Sequence, residues 1–146
     1  MNNFMQEAIK QAKIAFAKDE VPVGAVIVEN GKIIAAAHNQ NRTLNDPTAH
    51  GEILALRQAS EIKQNHRLEG CDLYVTLEPC AMCIAAISLA RIRRIYYAAS
   101  DEKFGAVENG VKFLSAKSCY HKPEIYSGFF EKESVELLQE KKKKKR

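Results

Sequence analysis

DLYVTLEPCAMCIAAISLARIRRIYYAA, residues 72–99, reads as strand, helix, strand. Residues 72–77 are a short apolar run rich in β-formers, Cys80 to Leu89 is apolar on nearly every side, as in a buried helix, and RIYYAA at 94–99 is a second strand. A strand that returns to its own sheet through a helical crossover lies parallel to the first, and such a sheet must be covered by helices. Upstream, VPVGAVIVENGKIIAAAHN at 21–39 holds two β-branched runs, Val23 to Val28 and Lys32 to Ala37. Between them sits Asn30-Gly31, a dipeptide that tolerates positive φ at both positions and so closes a tight hairpin. The turn-rich loop NQNRTLNDPT then delivers His50 to the start of a helix, HGEILALRQAS, with Ile53, Leu56 and Arg57 at helical spacing. Residues 3–18 predict a first helix with Phe4, Ala8, Ile14 and Ala15 near one face. Glu124 to Tyr126 is expected to add a fifth strand and Glu131 to Glu140 a last helix, while residues 104–120 carry no clear pattern. From the hairpin onward the order β, β, α, β, α, β predicts an α/β fold with a central sheet between helices. There is no internal repeat and no sign of a second domain.

The 146 residues are 46% apolar, enough for one core without disulfide staples. No apolar run is long enough to span a bilayer, and the charged, amphipathic N-terminal stretch is unlike a secretory signal, so a cytoplasmic protein without membrane attachment is expected. The net charge of +4 is misleading as a sign of nucleic-acid binding, because KKKKKR at 141–146 carries six positive charges. The rest of the chain has 16 basic and 18 acidic residues. The expected organisation is therefore one domain over residues 1–140 and a basic tail over 141–146, read as a solvated, disordered end with a polyanion contact as the alternative.

In a reducing compartment, Cys80 and Cys83 are better read as a redox pair or a metal site than as part of a disulfide framework. A redox pair at a helix start needs no other residue. A metal site needs a third donor, and His50 at the start of another helix supplies one. Three protein ligands suit a catalytic zinc whose fourth position is left to water, whereas a closed structural site wants four. Glu52, two residues after His50, is placed to take a proton from that water and pass it to a leaving nitrogen. An HxE alone is common, and a CxxC alone is more often redox or packing. Together with Pro79 they match the H-x-E and P-C-x-x-C signature of zinc base deaminases. Cys71 reads as core, and His38, His66 and His121 as surface or loop residues. Cys119 and His121 form a C-x-H pair that nothing nearby completes into a second metal site. Phe129 and Phe130 read as core or dimer contacts rather than base-stacking groups.

The chain resembles the cytidine deaminase-like superfamily, and within it the bacterial tRNA-specific adenosine deaminases. The likeness rests on VPVGAVIV at 21–28, HN at 38–39, DPTAHGEILALRQA at 46–59, RLEGCDLYVTLEPCAMCIAAI at 67–87 and the loop around DEKFGA at 101–106. It implies a three-layer α/β/α fold with a mixed five-stranded sheet, and a homodimer. It further implies one zinc per subunit on His50, Cys80 and Cys83, with Glu52 as proton shuttle. The implied substrate is the wobble adenosine of a tRNA anticodon stem-loop, deaminated hydrolytically to inosine. Asn39, Asp101 and Lys103 fall where the family contacts its substrate. From the residues alone, Asn39 is equally a turn former at the hairpin end, and Asp101 equally a helix cap. Two departures stand out: HGE in place of the commoner HAE, and a C-terminal VELLQEKKKKKR without the family's aromatic pair. A zinc deaminase of a free base or nucleoside (guanine, cytosine or cytidine) is the rival within the same chemistry. A catalytically silent RNA-binding or zinc-stabilised module is the rival outside it, against which the intact Glu52 speaks.

Overall fold

The computed structural model describes residues 3–144. In chain order the elements are α1 (Asn3–Ala17), β1 (Gly24–Glu29), β2 (Lys32–His38), α2 (Gly51–Lys63), β3 (Cys71–Leu77), α3 (Ala81–Leu89), β4 (Arg94–Ala99), β5 (Glu124–Ser127) and α4 (Glu131–Lys144). The strands form one sheet in the order β2-β1-β3-β4-β5. β1 is antiparallel to both of its neighbours, and β3, β4 and β5 run parallel. In the hairpin turn Asn30 and Gly31 have φ of 51° and 74°, and a register shift follows Ile27, which pairs with Ala35 while Val28 pairs with Ile33.

Alternate residues of the central strands go to opposite faces. Ala25, Ile27, Leu73, Val75, Ile95 and Tyr97 join Ile53 and Leu56 of α2 and Ile84 and Ile87 of α3 in one core. Val26, Val28, Tyr74 and Ala98 join Met5 and Ala8 of α1 in the other. Covering both faces is why these strands read as continuous apolar runs rather than alternating ones. The result is the three-layer α/β/α arrangement around a mixed five-stranded sheet. On the α1 side Tyr74, Tyr96 and Tyr126 stack in a row across three strands, at 4.4 and 5.0 Å between ring centroids.

α1 lies directly on the backbone of β1. A Cβ on Gly24 would sit 2.0 Å from the Ala8 carbonyl oxygen and 2.6 Å from the Ala12 nitrogen. Both are helix backbone atoms, which cannot move aside without shifting the layer. Gly24→Ala is therefore expected to destabilise the fold by about 3 kcal/mol or more, at the upper end of overpacking effects. Urea melts of the two proteins would measure it, and an unchanged midpoint would contradict the packing described.

Three details differ from the sequence expectations. The buried stripe of α1 is Met5, Ala8, Ile9, Ala12 and Ala15, while Ile14 is exposed and Phe4 half-buried against Tyr74; an apolar-rich helix offers more than one plausible stripe. His38 is buried at the end of β2, its Nδ1 3.0 Å from Gln11 Oε1, so it is neither a surface nor a loop histidine, whereas His121 lies in a loop as expected, half-buried with its Nε2 2.8 Å from the Ile92 carbonyl. As expected, Cys71 is core, His66 is exposed and Phe130 packs beside the α1 core; Phe129 is partly exposed. The third difference is the tail. α4 continues through Lys144, and Lys141 is buried with its ammonium on the Asp19 carboxylate. Lysine is a good helix former, and a buried ammonium needs such a partner. Lys145 and Arg146, the remainder of the expected disordered end, lie outside the described residues.

Candidate active site

Two helix starts meet at one edge of the sheet. His50 and Cys80 are the residues just before α2 and α3, both extended, with φ/ψ of −74°/152° and −77°/176°. Cys83 lies in the first turn of α3 and is fully buried. Helix N-termini carry partial positive charge and favour thiolate over thiol. His50 Nδ1 lies 3.6 Å from Cys80 Sγ and 3.4 Å from Cys83 Sγ. All three donor atoms fall within 4.8 Å of one another. Tetrahedral zinc with ordinary Zn–N and Zn–S bonds would hold nitrogen and sulfur about 3.6 Å apart. The donor set and its spacing thus fit a metal ion.

The acid–base chemistry of the same groups supports that fit. A hydrogen bond from Cys83 holds Cys80 down at about 4 against the cost of burial, with His50 adding a second contact. The same bond and burial push the Cys83 thiol far up, and the contact with Cys80 raises His50. One thiolate is thus stabilised by its neighbour's proton, a place that a dication can take. Burial pushes the Glu52 carboxyl up to about 7.

These groups open into a cavity of about 490 Å³. His50, Glu52 and Cys80 line it together with Asn39, Asp101 and Phe104. Asn39 is buried and its Oδ1 accepts the Gly51 N–H at 2.7 Å, which leaves the Nδ2 hydrogens as what it can offer a ligand. Asp101 is half-buried, and its Oδ1 accepts the N–H groups of Lys103 and Phe104 at 3.1 and 3.0 Å, holding a turn rather than capping a helix. Lys103 is exposed and does not line this cavity; it lines an adjoining groove.

Two buried carboxylates absent from the sequence reading shape the cavity's loops. Glu78, only 2% exposed, accepts the N–H groups of Asp101, Val107, Glu108 and Asn109 and the Asn109 side-chain amide. Glu20 accepts the N–H groups of Arg42 and Thr43 and the Thr43 hydroxyl. A charge directly behind an apolar strand, as in TLEP at 76–79, was the available sign for Glu78.

The model of the MafB19-like deaminase family matches residues 1–134. The tRNA-specific adenosine deaminase of Agrobacterium fabrum is 55% identical over 138 residues, which cover 94% of this chain and 91% of that one. A structure solved in work on A-to-I editing by tRNA:A34 deaminases at the wobble position of transfer RNA is 56% identical, covers 93% of this chain and 99% of its own, and superposes with a TM-score of 0.92. The guanine deaminase of Bacillus subtilis is 43% identical over 68% of this chain and 66% of its own, with a TM-score of 0.66. Sheet order, paired helix starts and the His-Cys-Cys group with its neighbouring glutamate define a deaminase of the cytidine deaminase-like class. Within that class, relatives at this identity over nearly the full length of both chains place the protein: it belongs to the tRNA-specific adenosine deaminase family.

Proposed function

We propose that this protein hydrolyses the wobble adenosine of a tRNA anticodon to inosine, with one zinc ion held by His50 Nδ1, Cys80 Sγ and Cys83 Sγ. The observation that carries the reading is the convergence of those three donors beside a buried glutamate, in a cavity of about 490 Å³ open to a substrate. A zinc ion held there would supply an acidified water, able to act at neutral pH as the nucleophile toward C6 of adenine. Glu52 accepts the proton of that water on its carboxylate and returns it to the departing amino nitrogen, so that adenosine and water become inosine and ammonia. Its burial keeps the proton from bulk solvent, and a carboxyl whose affinity for protons is raised toward neutrality serves both as acceptor and as donor. Asn39, through Nδ2, donates to an acceptor on the purine edge. Asp101 shapes the mouth of the cavity, and Lys103 contacts the RNA backbone outside it. An anticodon loop suits this site because its bases are already unpaired, which reduces the cost of turning one out of its stack.

A single deaminase domain, a homodimer and a cytoplasmic setting belong to the same reading. Among the described residues no helix is long and apolar enough to cross a membrane. Exposed Ile62 and Leu89, at the ends of α2 and α3, give a second copy apolar surface to cover.

The test is incubation with an adenosine-wobble tRNA transcript and, in parallel, with free adenine, guanine, cytosine, adenosine and cytidine, followed by mass spectrometry of the products. Inosine at the wobble position alone is expected. Turnover of a free base with untouched tRNA would overturn the substrate and favour the guanine deaminase likeness. Metal analysis should find one zinc per chain in the wild type and near none in His50→Ala, with turnover falling to background.

A further inference from the structure

Phe104 is 66% exposed, beside the mouth of the catalytic cavity, on a loop that is firmly anchored. Its N–H is held by Asp101 Oδ1, and the Gly105 N–H donates to the Asp101 carbonyl at 2.9 Å. The Ala106 N–H reaches the Pro79 carbonyl at 2.9 Å. A Cβ on Gly105 would fall 2.4 Å from the Asp101 oxygen and 2.5 Å from the Glu78 carboxyl carbon, so the loop is packed against its support. The Lys103 ammonium lies 5.1 Å from the centre of the Phe104 ring. A large apolar side chain in water, held on a fixed backbone, loses little further freedom when it binds something.

What it faces is a second cavity of about 470 Å³ that shares Val21, Leu77, Asp101 and Phe104 with the catalytic one. This groove extends from the mouth to α4, where Val135 and Leu138 line it. Lys103, Lys142 and Glu102 line it as well, and all three are exposed. The groove's charges balance, two lysines against Asp101 and Glu102, but Asp101 Oδ1 is already bonded to its own loop. An aromatic face, apolar walls and ammonium groups suit a nucleotide, and the shared residues make the groove continuous with the target-base site.

Resting on the proposed RNA substrate, we infer that Phe104 is the stacking platform for a nucleotide directly flanking the target adenosine, with Lys103 and Lys142 meeting the phosphate. When the target base turns into the catalytic cavity its neighbour loses a stacking partner, and the Phe104 ring replaces it. Phe104 is in this sense a positioning residue for the strand.

The test uses an anticodon stem-loop carrying 2-aminopurine on the 5′ or the 3′ side of the target, mixed with the metal-loaded protein. Stacking quenches the probe. Quenching is expected at one of the two positions, lost in Phe104→Ala and restored in Phe104→Tyr. On the unlabelled stem-loop, kcat/KM of Phe104→Ala should fall roughly tenfold or more. That loss should vanish on a stem-loop abasic at the same neighbour. Quenching at neither position, quenching that survives in Phe104→Ala, or an equal loss on the abasic RNA would overturn the platform. A wild type that makes inosine as fast as Phe104→Ala overturns the platform alone, and a wild type that makes none from any stem-loop overturns the RNA reading with it.

Discussion

Glu52→Ala is expected to lower kcat by roughly two to four orders of magnitude while the protein still carries one zinc per chain. The two effects separate because the donors close enough together to share a metal ion are His50, Cys80 and Cys83. The Glu52 carboxylate lies outside that set. In the proposed mechanism its removal would leave the nucleophile without a proton acceptor and the amino group without a donor, a loss that positioning of the base could not restore. Parallel measurements of turnover and metal content decide the matter: unchanged turnover would remove Glu52 from the mechanism, and lost metal would make it a ligand. Glu52→Gln keeps the packing and should be equally inactive. In the metal-free protein it should also raise stability above neutral pH. Burial raises this carboxyl from 4.5 to about 7, so the folded state binds the proton more tightly than the unfolded one. Its ionisation therefore subtracts stability as pH rises through that window.

The parts of this structure legible in the sequence are those that depend on neighbours along the chain. Asn30-Gly31 announces its hairpin because both residues accept positive φ, and the run from residue 72 to 99 announces a parallel crossover because an apolar helix between two apolar strands has few other places to go. The convergence of His50 with Cys80 and Cys83 was also legible, through a residue signature specific enough to link two separate helix starts. What could not be read depends on partners distant in sequence. Lys141 counted as one charge in a solvated run, yet its ammonium is buried on Asp19, 122 residues away. Gly24 looked like an ordinary strand residue because nothing in the sequence reveals a helix backbone lying on it. Lys103 falls at a substrate-contact position of the family, but a turn held by Asp101 directs the chain so that Phe104, not Lys103, lines the catalytic cavity. Deleting residues 141–146 to probe RNA contact would also remove the buried Lys141, so a deletion starting at Lys143 is the cleaner probe of the terminal charge run.

Glu78→Ala is expected to produce the largest loss of stability among the loop-holding residues, together with a rise in KM greater than the fall in kcat. The carboxylate accepts hydrogen bonds of 2.7–3.1 Å from Asp101, Val107, Glu108 and Asn109, all from one loop. Alanine leaves several donors without an acceptor, one of them the buried Val107 N–H. Water can reach some of these, so the individual bonds do not add, and a destabilisation of about 3 kcal/mol is expected. The loop carries Asp101 and Phe104, which line the cavity, so loosening it should weaken substrate binding more than the chemistry at the metal. The pH dependence identifies the cause. Burial alone would raise this carboxyl, but the bonds from Asp101, Asn109 and Glu108 outweigh it and hold the group below its ordinary 4.5. The unfolded chain therefore binds the proton more tightly than the folded one. The contribution is fully present above the unfolded pKa and is lost as pH falls through the folded one. Glu78→Gln keeps one acceptor oxygen but turns an amide N–H₂ toward backbone donors, so it should also be less stable than wild type. Its stability gap should stay constant from neutral pH down to about 5 and narrow below that. A gap independent of pH would mean that Glu78 acts by shape rather than by charge.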